Sequence, residues 1–368
     1  MLRRCCNRLR LLPSAGWSES GNSNRLRRSG GAQRRGSRPG AWDYLGDGQP
    51  FTSFRWYRFA EAALSSDQPI YVVLSRQGEP LARATFWLKR REYLPVTSKI
   101  AYHLLQMLLR VRPLLACRSP LSSLSGLILP PPPLRDAAIA ALATTAQEIA
   151  RQRGVSFTLF DYLETSEQES AGWPDAYAVF KFSNPGTRLD INWPDFESYL
   201  GYLGKSVRKD YHRHCNRAAD QGIVVEVSGQ VTEIDRAMAL IHNVEQHHGS
   251  FPNPDAQRVL ETAHLADASW LTARIDGELV GCGLLLGDRG GKVLALLGLN
   301  YDIKYVYFQL VYAAIRHAIE SGTRVLRGGG GAYEMKERLG FTVETQNYVV
   351  FTTGSPLLRR LVRRLPVA

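Results

Sequence analysis

Two short segments of the sequence hold the side chains best suited to moving protons. Tyr301 and Tyr307 flank the expected start of a long helix, and Glu245 and His248 lie at the end of an earlier predicted helix. A tyrosine can protonate a leaving thiolate or ribose oxygen, and a glutamate or histidine can accept an amine proton. We therefore predict catalytic roles for Tyr307, Tyr301, Glu245 and His248. The alternatives are aromatic packing beneath the helix and an exposed helix end that favours histidine.

A run of four glycines is a second candidate site. It follows a predicted strand and precedes a short predicted helix. Consecutive glycines cost backbone entropy, so the run indicates close approach of a ligand or an open nest of backbone amides. We expect an anionic part of a substrate to be bound here, by Gly328, Gly329, Gly330, Gly331, Tyr333 and Lys336. A plain flexible turn is the alternative.

Cations recur every three to four residues on a predicted helix that begins near Lys205 and Arg208. We predict that these two residues bind a phosphate-bearing substrate, such as a nucleotide-linked precursor or the acceptor end of a tRNA. A solvated basic face between two units is the alternative. No metal site is expected, because the five cysteines include no Cys-x-x-Cys pair and none lies near a histidine cluster at zinc spacing. The sequence also lacks a serine nucleophile elbow and a Walker loop.

The charge of the chain is concentrated at its ends. Of a formal net charge of +12, residues 1–40 carry ten arginines and one glutamate, and residues 356–368 carry four arginines and no acid. The body between them is close to neutral, so we expect no DNA binding. We predict a disordered basic tail over 1–40, for which a transit peptide is the alternative, and a second basic tail over 355–368. The tails would make at most weak contact with a membrane surface, and the cysteine usage favours the cytoplasm.

A repeated pattern organises the body of this 368-residue chain. Residues 71–88 and 270–287 each read as a strand, a polar turn with glycine and a second strand, which is typical of a β-hairpin. Each hairpin is followed by a predicted helix, a glycine and a buried strand. We therefore predict two copies of a mixed α/β unit, one over 41–229 with an insertion near 90–133 and one over 230–354.

This order of elements resembles the GNAT acyltransferase fold, and its duplication resembles the Fem-type peptidoglycan aminoacyl transferases and bacterial acetyltransferase-like proteins. The resemblance rests on residues 193–227, which would link the units, and on 305–341, with a helix, a strand, the glycine turn and a closing Lys-x-x-x-Gly helix. It implies an α/β fold, with α+β mixed sheets, of two tandem GNAT-like units and basic tails. It also implies an N-acyltransferase acting on a small-molecule or peptide amine, with a cell-envelope precursor as one candidate acceptor. A degenerate module that binds a precursor or carrier without catalysis is the alternative.

The donor expected from the resemblance is acyl-CoA or aminoacyl-tRNA, used as a co-substrate and not as a bound cofactor. A typical GNAT unit holds the coenzyme A pyrophosphate with a glycine-rich loop at a helix N-terminus. Here the matching residues, 300–308, include six bulky aromatic or aliphatic side chains and no glycine. This departure from the GNAT pattern argues against the ordinary mode of coenzyme A binding, and both donors stay open. We expect the second unit to be the working one.

Overall fold

The computed structural model describes residues 9–12, 42–43, 45–46, 48–77, 79–92, 99–155, 157–181, 185–345 and 347–354. The helices with described bounds are α1 (Phe54–Ala63), α2 (Lys99–Val111), α3 (Arg135–Arg153), α4 (Thr165–Gln168), α5 (Phe196–Tyr202), α6 (Lys205–Asp220), α7 (Ile234–His247), α8 (Ala256–Thr262), α9 (Val306–Glu320) and α10 (Tyr333–Arg338). The strands are β1 (Leu9–Leu12), β2 (Gln68–Arg76), β3 (Glu79–Lys89), β4 (Leu114–Ser119), β5 (Leu124–Ser125), β6 (Leu127–Ile128), β7 (Phe157–Leu163), β8 (Ala178–Lys181), β9 (Thr187–Asp190), β10 (Val224–Ser228), β11 (Asp267–Ile275), β12 (Glu278–Asp288), β13 (Gly291–Leu299), β14 (Val325–Arg327), β15 (Thr342–Val343) and β16 (Tyr348–Thr353).

The strands form two mixed sheets. The first has the order β1-β2-β3-β4-β7-β16-β8, with β5 paired to β4 and β6 paired to β3, and the second has the order β10-β11-β12-β13-β14-β9-β15. Each sheet contains one parallel pair, β4 with β7 and β13 with β14, joined through the helices α3 and α9. The expected α/β fold of two GNAT-like units is confirmed.

The two hairpins share a register shift that was not predicted from the sequence. In the first, the register between β2 and β3 shifts between Leu74 and Ser75, and in the second the register between β11 and β12 shifts between Ala273 and Arg274. When the hairpin glycines are superposed, these shifts fall at the same position. The second turn has positive φ at Asp276 (50°) and Gly277 (83°), as a type I′ turn requires. A shared bulge supports duplication, because bulges are specific features of a sheet.

The division between the units differs from the one expected from the sequence. The strands β9 and β10 precede residue 230 but lie in the second sheet, whereas β16, near the end of the chain, lies between β7 and β8 in the first. The boundary predicted at 229/230 therefore does not separate the sheets. We call β9 and β16 the exchanged strands, because each lies in the sheet of the other unit. The region expected as an insertion, 90–133, also contains the core strand β4, so the additional segments lie before and after that strand.

Part of the amino-terminal tail differs from its expected disorder, since β1 pairs antiparallel with β2. The tail expected over 355–368 lies outside the described residues.

One hydrophobic cluster joins the two units: Trp56 and Phe59 of α1 pack in the same core as Leu240, Leu260 and Trp270. The Asp288 carboxylate, at the end of β12, accepts hydrogen bonds from the Thr52 and Ser53 amides at 3.1 Å. The segment before α1 is therefore fixed against the second sheet.

Candidate functional site

Tyr301 and His248 come together at the surface where β13 and α7 both end. The Tyr301 hydroxyl lies 3.3 Å from His248 Nε2, and the Tyr301 ring stacks on His247 with centroids 3.9 Å apart. Tyr301 is 40% exposed. The structure therefore unites two of the four residues predicted to move protons, and their catalytic roles stay predictions.

Glu245 and Tyr307 have other surroundings. Glu245 Oε1 accepts a hydrogen bond from the Asn253 amide at 2.7 Å, and its Oε2 lies 3.2 Å from His242 Nδ1. This carboxylate thus fixes the loop that follows α7. Burial raises the pKa of Tyr307 to about 12, so its hydroxyl keeps its proton near neutral pH. In the described part of the chain, Glu245 forms no hydrogen bond or ion pair with Tyr301 or His248, whereas Tyr307 lies near enough to Tyr301 that the Tyr301 charge also raises the pKa of Tyr307. The catalytic roles of Glu245 and Tyr307 stay predictions.

The glycine run is arranged differently from the expected anion site. The Lys336 ammonium donates hydrogen bonds to the carbonyl oxygens of Gly328, Gly329 and Gly330, at 2.7, 3.1 and 3.2 Å. Lys336 is buried, and that burial lowers its pKa to about 8. The ammonium thus contacts its own loop, and binding of an anionic substrate by Lys336 stays a prediction. Carbonyl groups surround the ammonium, so its direct contacts stabilise the loop.

The neighbours of the run are also held by the protein. The Gly328 amide donates to the Thr187 carbonyl at 2.8 Å, and the Tyr333 hydroxyl donates to the Pro185 carbonyl at 2.7 Å. Positive φ at Gly329 and Gly331 lets the chain turn from β14 into α10. These contacts anchor the run against the exchanged strand β9. Substrate binding by Gly328–Gly331 and Tyr333 stays a prediction.

The two predicted cations at the start of α6 differ in their surroundings. Arg208 Nη1 donates to the carbonyl oxygens of Gly201 and Leu203, at 3.0 and 2.5 Å, and so fastens α5 to α6. The guanidinium thus contacts its own chain, which differs from the phosphate contact expected for it. Lys205 is exposed in the first turn of α6.

The start of α9 corresponds to the place where a GNAT unit would receive coenzyme A. Here α6 packs across it, since the His214 ring lies 4.0 Å from the Phe308 ring and 5.6 Å from the Tyr305 ring, measured between centroids. His214 Nδ1 also lies 2.9 Å from the Tyr312 hydroxyl. Tyr305 itself has a left-handed conformation, with φ 73°. Aromatic side chains therefore occupy the surroundings of this helix terminus.

A cleft between the two units brings together charged residues that sequence reasoning missed. It has a volume of about 400 Å³. We call it the inter-unit cleft, and it is lined by Gln49, Pro50, Thr52, Leu124, Ser125, Leu127, Leu129, Arg135, Tyr162, Glu164, Ser166, Glu167, Arg188, Val325 and Arg327. The first sheet and its helices supply both glutamates and one arginine, and β9 and β14 of the second sheet supply the other two arginines. The cleft is therefore assembled by the exchange of β9.

Glu167 is the acidic residue of this cleft whose proton affinity is most altered. Burial, opposed by a hydrogen bond from the Glu164 amide and aided by the Glu164 charge, raises the pKa of Glu167 to about 7. Its Oε2 accepts that bond at 2.9 Å. Arg135 lowers the same pKa to a smaller extent. A carboxylate with a pKa near neutrality is suited to general base work.

The three arginines of the cleft are held to different degrees. Arg327 Nη2 lies 2.8 Å from Glu344 Oε1 in a buried ion pair, and Arg188 pairs with Asp190. Arg135 Nε donates only a long hydrogen bond, 3.4 Å, to the Pro130 carbonyl. No ion pair of Arg135 is found among the residues that the structure describes. Of the three arginines, Arg135 is therefore the one whose charge is least neutralised by an ion pair, which we call the least committed charge.

Comparison with known proteins places this chain in a family. A model of the FemAB-like family, described as peptidoglycan biosynthesis/recognition, matches residues 37–365. The chain is a member of the FemAB-like family. No match was found among curated proteins.

Two solved structures have the fold of this FemAB-like protein. FemX is 12% identical and has a TM-score of 0.64, with 89% of this chain and 98% of FemX covered. A tandem GNAT protein from the clavulanic acid biosynthesis pathway is also 12% identical and has a TM-score of 0.53, with 95% and 99% covered. At this identity the likeness establishes the tandem GNAT architecture and leaves the substrate to be argued from the site.

Membrane-spanning helices and metal-binding clusters are both absent from the described residues of the FemAB-like protein. Within the described ranges, no helix is long and apolar enough to cross a bilayer. The same ranges contain no cluster of three or more histidine, cysteine, aspartate or glutamate side chains arranged to hold a metal.

A sequence signal for Glu167 does exist. The residues that follow the buried strand β7 include Glu164, Glu167 and Glu169. Acidic residues at the carboxyl end of a parallel strand lie where ligands bind in α/β proteins. Identifying the arginines that face them requires knowledge of how β9 is exchanged.

Proposed function

We propose that this FemAB-like protein transfers an aminoacyl group to an amine of a peptidoglycan precursor, with the inter-unit cleft as the acceptor site. The observation that carries the proposal is a glutamate with a pKa near 7 beside three arginines from both units. The family description and the tandem GNAT fold support the reaction class. The cleft supports an acceptor that is anionic and also bears an amine.

The arginines would bind the anionic groups of such an acceptor. Arg135, whose charge is least committed, would hold a phosphate or carboxylate, because a guanidinium donates two parallel hydrogen bonds to such groups. Arg327 and Arg188 are already paired with Glu344 and Asp190, so less of their charge is available to an acceptor. This division of roles makes Arg135 the principal binding residue.

Glu167 would act as the general base. The acceptor amine is an ammonium ion at neutral pH, and Glu167 in its ionised form would accept one proton from it. The free amine then attacks the donor carbonyl and forms the new carbon–nitrogen bond. Collapse of the tetrahedral intermediate breaks the ester bond of the donor, and the second amine proton leaves with the ribose oxygen.

The packing at the start of α9 supports aminoacyl-tRNA as the donor over acyl-CoA. Coenzyme A would need exposed amides at that helix terminus. The rings of Tyr305, Phe308 and His214 surround it instead. An aminoacyl ester on a tRNA does not require a pyrophosphate site in this position.

The proposal is tested by incubating the purified protein with a UDP-linked muramyl pentapeptide and either a pool of charged tRNAs or acetyl-CoA. Mass spectrometry of the pentapeptide should reveal an added aminoacyl group with charged tRNA, and that product should be lost in Glu167→Gln. Glu169→Gln changes an exposed neighbour in the same way and should retain activity. An added acetyl group would overturn the proposed donor. Binding of the pentapeptide without any product would favour the non-catalytic alternative.

A further inference from the structure

Helix α2 presents an unusual face to solvent. Five large apolar side chains on one side of this helix are exposed: Ile100 (74%), Leu104 (61%), Met107 (61%), Leu108 (39%) and Val111 (78%). Their spacing of three and four residues forms a continuous stripe along the helix. We call this set the α2 stripe. A contiguous exposed apolar surface of this kind marks an interaction site.

The neighbouring side of the same helix is polar and faces the protein. His103, Gln106 and Arg110 line a cavity of about 570 Å³ beside the loop at residues 251–255. Gln106 Oε1 accepts a hydrogen bond from the Glu92 amide at 3.3 Å, and Arg90 Nη1 donates to the Arg110 carbonyl at 2.6 Å. These contacts fix the helix so that its apolar side faces outward. The α2 stripe is therefore held outward by specific contacts.

The charge around the α2 stripe indicates what covers it. Arg90, Arg110 and Arg112 are exposed near the carboxyl end of the helix, where Arg90 bonds the Arg110 carbonyl, and Arg91 is exposed next to Arg90 in the sequence. Between residues 93 and 134 the sequence contains no aspartate or glutamate. A second copy of the chain would bring these arginines close to one another, and like charges at that distance repel. An anionic partner matches both the stripe and its cationic surroundings.

The dimensions of the helix indicate how it would lie. The 13 residues of α2 span about 20 Å at 1.5 Å per residue, which is less than the roughly 30 Å of a hydrocarbon core. A short helix with an apolar stripe and flanking arginines lies in the plane of the interface. We propose that the α2 stripe docks the protein on an anionic lipid bilayer surface. The cavity beside the helix would then open next to the lipid headgroups.

The full chain tests this proposal by co-sedimentation with vesicles of phosphatidylcholine containing phosphatidylglycerol. Leu104→Glu combined with Met107→Glu should lower the partition coefficient about tenfold or more, because two apolar side chains no longer enter the interface. Val224→Glu combined with Val227→Glu is the matched control, since both residues are exposed on β10. It should bind vesicles like the unchanged protein. Both variants retain the basic tails, so a selective loss assigns binding to α2.

A second pair of changes tests the electrostatic part. Arg110→Glu combined with Arg112→Glu should weaken binding at least tenfold, and 1 M salt should remove most of that difference. Circular dichroism melting should show that each variant remains folded. Equal vesicle binding by the stripe variant and its control would overturn the proposal. So would a change from dimer to monomer in light scattering of the stripe variant with no change in vesicle binding, since it would assign the stripe to a second copy.

Discussion

The altered proton affinity of Glu167 makes a prediction about stability that does not depend on any substrate. The pKa of this carboxyl rises from 4.5 to about 7 on folding. The folded protein therefore binds the proton more tightly than the unfolded chain does. By linkage, the stabilising effect of the protonated form is complete below about pH 4.5 and is lost as the pH rises through about 7. A shift of about 2.5 units corresponds to roughly 3 kcal/mol, and partial exposure reduces this to about 2–3 kcal/mol.

Glu167→Gln removes the titration and keeps the shape of the side chain. The unchanged protein should lose about 2–3 kcal/mol of stability between pH 4.5 and pH 8 that the variant does not lose. The free energy of unfolding of the variant minus that of the unchanged protein should therefore increase by this amount as the pH rises. Urea unfolding followed by tryptophan fluorescence at these two pH values measures the difference. Glu169→Gln is the control, because Glu169 is exposed and its substitution should give nearly the same difference at both pH values. A Glu167→Gln difference that is independent of pH would refute the raised pKa and the burial that causes it.

Four further predictions follow from the contacts of the cleft, the glycine run and the exchanged strands. Arg135→Ala should raise KM for the pentapeptide precursor about tenfold with little change in kcat, whereas Arg151→Ala on the exposed end of α3 should change neither in steady-state kinetics. Glu164→Gln should lower the apparent pKa of Glu167, measured from the pH dependence of the rate, because it removes a negative charge that raises it. Lys336→Met should lower the free energy of unfolding by about 1–3 kcal/mol, since it leaves three carbonyl groups without their donor, and Lys205→Met should stay within about 0.5 kcal/mol. A chain ending at residue 346 lacks β16 and should lose cooperative unfolding in calorimetry, whereas one ending at residue 354 should keep it.

Local features of the fold could be predicted from the sequence, and its long-range pairing could not. The hairpin around Gly277 was predicted because adjacent residues determine a tight turn. The exchange of β9 and β16 depends on pairing between strands more than one hundred residues apart. Both are short strands, and nothing in their residues specifies which strand they pair with. The predicted boundary at 229/230 failed for this reason.

The candidate site was predicted only in part, for a related reason. Tyr301 and His248 were each selected from the sequence because each follows an element whose end the sequence marks, but their contact with one another was not predicted. The hydrogen bonds of Lys336 to its own loop carbonyls were not predicted, since nothing in the sequence distinguishes a lysine that faces a ligand from one that binds its own loop. Glu167 was missed because its pKa depends on burial between two units.

The pH dependence of single-turnover transfer tests the central claim most directly. With charged tRNA and saturating pentapeptide precursor, the rate of the unchanged protein should rise with pH through an apparent pKa near 7, as Glu167 loses its proton. Glu167→Gln should be about 10²-fold to 10⁴-fold slower and should lack that rise. If Glu167→Gln retains both the rate and the pH profile, Glu167 is not the base.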